Sequence, residues 1–87
     1  MKYYVYILQS TTIGSYYVGH TDNLTERVRK HNSGQVKFTK PEKHCELRYF
    51  ETFAKRGEAV IREREIKGRK KRAYIESLIL RGVAQLG

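Results

Sequence analysis

The 87 residues suffice for one small domain and leave no room for two separate cores; apolar residues make up 39% of them, below the roughly 45–50% of an average domain. Lysine and arginine number 18 against 9 acidic residues, a net charge of +9, and an excess of that size attracts polyanions such as nucleic acid, although solubility alone is its bland counterpart. The single cysteine, Cys45, excludes an intramolecular disulfide and a cysteine-based zinc site. Residues 3–8, Tyr-Tyr-Val-Tyr-Ile-Leu, are dense in aromatic and β-branched side chains and predict a strand. That run is too short for a signal peptide or a membrane span, and a cytoplasmic protein is expected. Residues 9–15 carry Ser, Thr and Gly, the chemistry of a turn. Residues 16–19, Tyr-Tyr-Val-Gly, read as a second strand, and so short a connection favours an antiparallel hairpin.

A helix follows. Thr21-Asp22-Asn23 offers N-caps, Leu24, Val28 and His31 share one face, and Ser33-Gly34 ends it. Residues 35–44, with Lys37, Lys40, Lys43 and Pro41, read as a basic surface loop. Cys45 to Phe53 alternates imperfectly and predicts a third strand. A second helix is expected over 54–67, with Ala59, Val60 and Ile66 inward. Gly68 breaks the pattern, and Arg69-Lys70-Lys71-Arg72 opens a third helix whose apolar set is Ala73, Ile75, Leu78 and Ile79. The order β-β-α-β-α-α predicts an α+β fold, with a three-stranded antiparallel sheet flanked by helices. Residues 1–80 are expected to form one domain and 81–87 a C-terminal tail. A membrane-surface role would need a basic helix with Trp or Phe on its apolar face; there is no Trp, and the three Phe lie outside the basic segment.

Several residues could carry chemistry. Tyr6 and Tyr17 lie near the ends of the hairpin and could face the same side, or simply pack in a tyrosine-rich core. Arg27 and His31 are neighbours at i, i+4 and flank the apolar face of their helix. An arginine there suits a bidentate phosphate contact, and a histidine there can exchange a proton near neutral pH. Their bland counterparts are a solvated helix charge and a satisfied boundary histidine. Glu63 falls in the middle of the apolar face set by Ala59, Val60 and Ile66, whereas Glu65 points away. An inward carboxylate must be paired, protonated or metal-bound. One carboxylate with waters and substrate phosphate is a usual way to hold Mg²⁺; an ion pair with Arg27 or another inward cation is the competing reading.

With these residues in order, the chain resembles the GIY-YIG endonuclease superfamily, and within it the small, stand-alone bacterial branch, the UPF0213-like proteins. The matching pieces are Tyr4-Val5-Tyr6, Tyr17-Val18-Gly19, Thr21-Asp22-Asn23-Leu24, Arg27, His31-Asn32-Ser33-Gly34, and Arg62-Glu63 before Ile66-Lys67-Gly68. The first triplet departs from the family's Gly-Ile-Tyr by lacking its glycine. His20 stands where excision-repair relatives carry Lys. The separate DNA-recognition domain of many members has no counterpart here, so a protein partner could supply specificity.

The resemblance implies roles. Tyr6 and Tyr17 would line an active site, the second as a general base or water-orienting group. Arg27 would stabilise charge on the scissile phosphate, and His31 or His20 would accept a proton. Glu63 would hold one divalent metal, Mg²⁺ or Mn²⁺, and Asn32 would support the site. Lys37, Lys40, Lys43, Arg69, Lys70, Lys71 and Arg72 would bind the nucleic-acid backbone without sequence preference and with strong salt sensitivity. The implied activity is metal-assisted phosphodiester hydrolysis of nucleic acid, with DNA favoured over RNA as the partner and DNA repair or processing as the role. The alternative is a nucleic-acid-binding module of the same fold with little or no turnover.

Overall fold

The computed structural model of the chain describes residues 2–11, 14–32, 45–69 and 71–86. Strands β1 (Tyr3–Ser10) and β2 (Tyr16–Thr21) form a hairpin; helix α1 (Leu24–Asn32), strand β3 (Cys45–Phe53), and helices α2 (Arg56–Arg69) and α3 (Arg72–Leu86) follow. This is the expected α+β class and element order. Lys37, Lys40, Lys43 and Lys70 lie outside the described residues.

The first strand is the central one. The sheet order is β2-β1-β3, antiparallel on both sides. A strand covered on both faces reads as a continuous apolar run rather than an alternating one. Val5, Tyr6, Ile7 and Leu8 are accordingly all buried. Alternation sends Val5 and Ile7 to one face, where they pack with Tyr49, Ala59, Ile66, Leu78 and Ile79 beneath α2 and α3. Tyr6 and Leu8 face the other way, toward Cys45, Tyr17, and Leu24 and Val28 of α1. Removing one of the fully buried side chains, as in Ile66→Ala, should cost about 2–5 kcal/mol.

The imperfect alternation of β3 has a geometric cause. Ile7 pairs with Tyr49 but Leu8 pairs with Leu47, so Arg48 is an extra residue in the ladder. A bulge of this kind flips the phase of the strand. Tyr49 therefore joins the α2/α3 face while Leu47, two residues before it, joins the α1 face.

Local chemistry sets the helix starts. Asn23 caps α1: its Oδ1 accepts the Glu26 N–H at 3.1 Å, satisfying one of the orphan donors of the first turn. Glu58 reaches back to the Lys55 N–H at 3.2 Å, which closes the entry to α2 in the same manner. The third helix begins at Arg72 and continues to Leu86, past residue 81, where a tail is expected from sequence. Ala73, expected to face inward, is exposed, and Tyr74 packs against the core in its place.

A polar cluster ties β3, α2 and α3 together. Arg62 donates to both carboxylate oxygens of Glu51, the closest approach being 2.9 Å, and to the Tyr74 hydroxyl at 3.2 Å; the Tyr49 hydroxyl also donates to Glu51. Burial and the Glu51 carboxylate push the Tyr49 hydroxyl up to about 12, so it stays protonated and donates. Burial would raise Glu51, but hydrogen bonds from Arg62 and Tyr49 outweigh it and hold the carboxyl ionised.

Candidate active site

Opposite Tyr6 on the neighbouring strand stands Gly19, and the pairing decides where the tyrosine hydroxyl goes. With no side chain at Gly19, the Tyr6 ring lies across the β2 backbone. A Cβ built there would fall 2.7 Å from Tyr6 Cζ, well inside contact distance. The hydroxyl thus reaches the outer edge of the sheet, where, among the described residues, β2 has no further strand beside it.

A cleft of about 320 Å³ opens at that edge, lined by Tyr6, Gly19, His20, Arg27, Glu63 and Lys67 among others. Its lining comes from both faces of the sheet. Tyr6 and Arg27 arrive from the α1 side. His20, paired with Val5, arrives from the α2 side, as does Glu63. The edge strand is what these groups share.

Glu63 is anchored from two directions. His20 Nδ1 contacts Glu63 Oε1; an ionised carboxylate can only accept, so that ring nitrogen carries the proton. Lys67 Nζ donates to Oε2 at 2.5 Å. Burial would raise the Glu63 carboxyl, but the Lys67 and His20 hydrogen bonds outweigh it and set it below its ordinary value. The Glu63 side chain is 15% exposed and that of Glu65 52%, the split that helical phase requires. Glu65 pairs with Arg62.

The tyrosine is held by its surroundings. Its hydroxyl lies 3.4 Å from His31 Nε2, with the two rings edge to face. Burial raises the Tyr6 hydroxyl against the opposing pull of Arg27. Burial and then Arg27 lower His31. At neutral pH the pair is therefore a protonated phenol beside a neutral imidazole. Arg27 itself meets no carboxylate within ion-pair distance among the described residues. Across the cleft, Arg56 pairs loosely with Asp22 at 3.7 Å.

The remaining expected site residues fall elsewhere. Tyr17 lies opposite Leu8 and packs against the cluster of Tyr6, Leu8 and Cys45; it is not among the residues lining the cleft. Asn32 spends its side-chain oxygen on the Cys45 N–H at 2.6 Å, joining the end of α1 to the start of β3. In the basic cluster, Arg69 stacks on Tyr74 at 4.8 Å and Arg72 on Tyr16 at 4.7 Å. Arg72 also donates to the Gly14 carbonyl at 3.2 Å, where Gly14 turns with a φ of 77°. Arg72 thus clasps α3 to the hairpin, and Arg69, at the end of α2, lies against α3. Tyr16 lies four residues from His20, roughly 13 Å along the strand at 3.3 Å per residue. Lys71 is exposed. Lys67, Arg56 and Asp22 are lining residues that the sequence reading did not assign to the site. Only Lys67 carried a signal, its spacing of four from Glu63.

Compared with known proteins, residues 2–75 match the GIY-YIG catalytic domain. The chain belongs to the GIY-YIG family. Within it, this domain is similar to the UPF0213 proteins. It is 43% identical to one from Staphylococcus epidermidis over 67 residues, 76% of this chain and 80% of that protein. A relative from Bacillus pumilus is 39% identical over 81 residues, 88% of this chain and 82% of its own. The solution NMR structure of a UPF0213 protein from Bacillus halodurans matches with a TM-score of 0.56 and 35% identity, covering 91% of this chain and 83% of that one. Membership places this GIY-YIG domain in a nuclease family whose enzymes generally use a divalent metal and act on nucleic acid. No helix among the described residues is long and apolar enough to cross a membrane.

Proposed function

We propose that this domain is a divalent-metal-dependent endonuclease that hydrolyses phosphodiester bonds in DNA, in a repair or processing role. The observation that carries the reading is the meeting, in one polar cleft at the sheet edge, of an ionised Glu63, the Tyr6 hydroxyl and an Arg27 that has no carboxylate partner among the described residues. Three fixed cations, Arg27, Arg56 and Lys67, line that cleft against two carboxylates, Asp22 and Glu63. That balance favours an anionic ligand.

The residues fit one hard cation. Among the described residues no group of three or more His, Cys, Asp or Glu could enclose a metal. A single carboxylate beside open, polar space nevertheless suits Mg²⁺ or Mn²⁺, which keep several waters and take substrate phosphate as ligand. Glu63 would hold it. Such an ion supplies charge stabilisation at the phosphate and acidifies water. Geometry and charge support the other roles. Arg27 binds the non-bridging phosphate oxygens and stabilises the charge that grows on them. Tyr6, whose raised pKa makes it a poor base, orients the attacking water through its hydroxyl. His31 holds that hydroxyl in place. His20, part-exposed at the cleft, is the imidazole positioned to take the proton released by the water. Tyr17, set back from the cleft, supports the Tyr6 ring by packing.

Incubation of the protein with supercoiled plasmid and with branched DNA, with and without Mn²⁺, tests the reading. Metal-dependent nicking that Glu63→Ala abolishes is expected; equal cutting by wild type and variant across substrates and metals contradicts it. One observation favours the non-cutting alternative: both Glu63 oxygens already have partners. Gel shifts without cleavage, unchanged in Glu63→Ala, would select that reading.

A further inference from the structure

The partners of Glu63 are unlike. His20 comes from the neighbouring strand, is 29% exposed and holds Oε1. Lys67 comes from one turn further along the same helix, is 54% exposed and holds Oε2. A lysine of that exposure sits on a flexible four-carbon stem, and an i, i+4 pair is a weak tether. Lys67 also lines the cleft with Arg27 and Arg56, so its ammonium lies within the space where a phosphate backbone would enter.

An ammonium and a divalent cation cannot both sit on Oε2 at contact distance without strong repulsion. A phosphodiester offers the ammonium a different anion in the same cleft. We propose that Lys67 guards Glu63: it occupies Oε2 in the free protein and transfers to a backbone phosphate when nucleic acid enters, which releases the carboxylate to the metal. Metal and nucleic acid then bind with positive coupling, each tightening the other by the same factor. The free protein holds its metal weakly and acquires full affinity only with substrate in place. This proposal rests on the metal-dependent reading of the cleft.

The test is a Mn²⁺ titration of the full chain, followed by the electron-paramagnetic-resonance signal of free Mn²⁺, in the absence of nucleic acid and then with a thymidine dinucleotide carrying one phosphodiester. Lys67→Met keeps the stem and removes the charge, Lys67→Arg keeps the charge, and Glu63→Gln removes the anion. Thermal melts check that each variant folds. Lys67→Met is expected to bind Mn²⁺ about tenfold tighter than wild type without dinucleotide, with Lys67→Arg close to wild type. The dinucleotide should tighten Mn²⁺ by a larger factor in wild type than in Lys67→Met. Equal or weaker Mn²⁺ binding by Lys67→Met, with binding lost in Glu63→Gln, overturns the guard and leaves the metal site standing. Mn²⁺ binding by Glu63→Gln as tight as wild type overturns both.

Discussion

The Tyr6 ring crosses the sheet over Gly19, close enough that a Cβ there would fall 2.5 Å from the phenol oxygen. The glycine is what allows a central-strand side chain to reach the edge cleft. Gly19→Ala should displace the ring. We expect a loss of about 1–3 kcal/mol in urea unfolding, the usual cost of overpacking, together with at least a tenfold loss of cleavage. Gly57, which has open space around it, is the comparison: Gly57→Ala should change stability by about 0.5 kcal/mol or less. Equal effects at the two positions would show that the ring does not depend on Gly19.

His31 makes stability depend on pH. Burial lowers its folded-state value, so the unfolded chain binds the proton more readily. Stability is then full above the unfolded histidine value of about 6.5. It falls as pH drops below that value toward the lower folded one. Urea midpoints measured between pH 8 and pH 5 should decline in wild type and decline less in His31→Gln. Parallel curves for the two proteins would remove His31 as the cause.

The Glu51–Arg62 pair is a matter of fold rather than chemistry, because Arg62 faces β3 and α3. Both side chains are about one-fifth exposed. Arg62→Met strands a half-buried carboxylate and should cost about 2–4 kcal/mol, somewhat below the range for a fully buried pair. The Glu51→Gln/Arg62→Met double variant should lose less than the sum of the singles. Additivity within about 0.5 kcal/mol would mean that the two residues act independently.

Helical phase was the most readable part of the site. Counting from Ala59, Val60 and Ile66 separates Glu63 from Glu65, and the N-cap candidates Thr21-Asp22-Asn23 mark the start of α1. Other features depend on tertiary geometry. The bulge at Arg48 reverses which side of β3 faces which helix, and a single strand's pattern shows only blurred alternation. Tyr17 and Tyr6 do share a sheet face, but two-residue periodicity cannot say which hydroxyl reaches a cleft; that depends on Gly19 lying beside Tyr6 and Leu8 beside Tyr17. Tyr74 takes the inward place of Ala73 because Arg62 and Arg69 both meet its side chain. The basic run at 69–72 reads as a nucleic-acid surface, yet two of its arginines lie over tyrosine rings.

The single-turnover cleavage rate of Tyr6→Phe, Arg27→Met and Glu63→Gln beside wild type bears most directly on the edge cleft as a phosphodiester-cutting site. Leu80→Gln, on an exposed side chain of α3, serves as the reference. With melting temperatures unchanged, each of the three cleft variants should lose at least about a hundredfold in rate and Leu80→Gln almost nothing. Cleavage by all three at the wild-type rate would place the activity elsewhere.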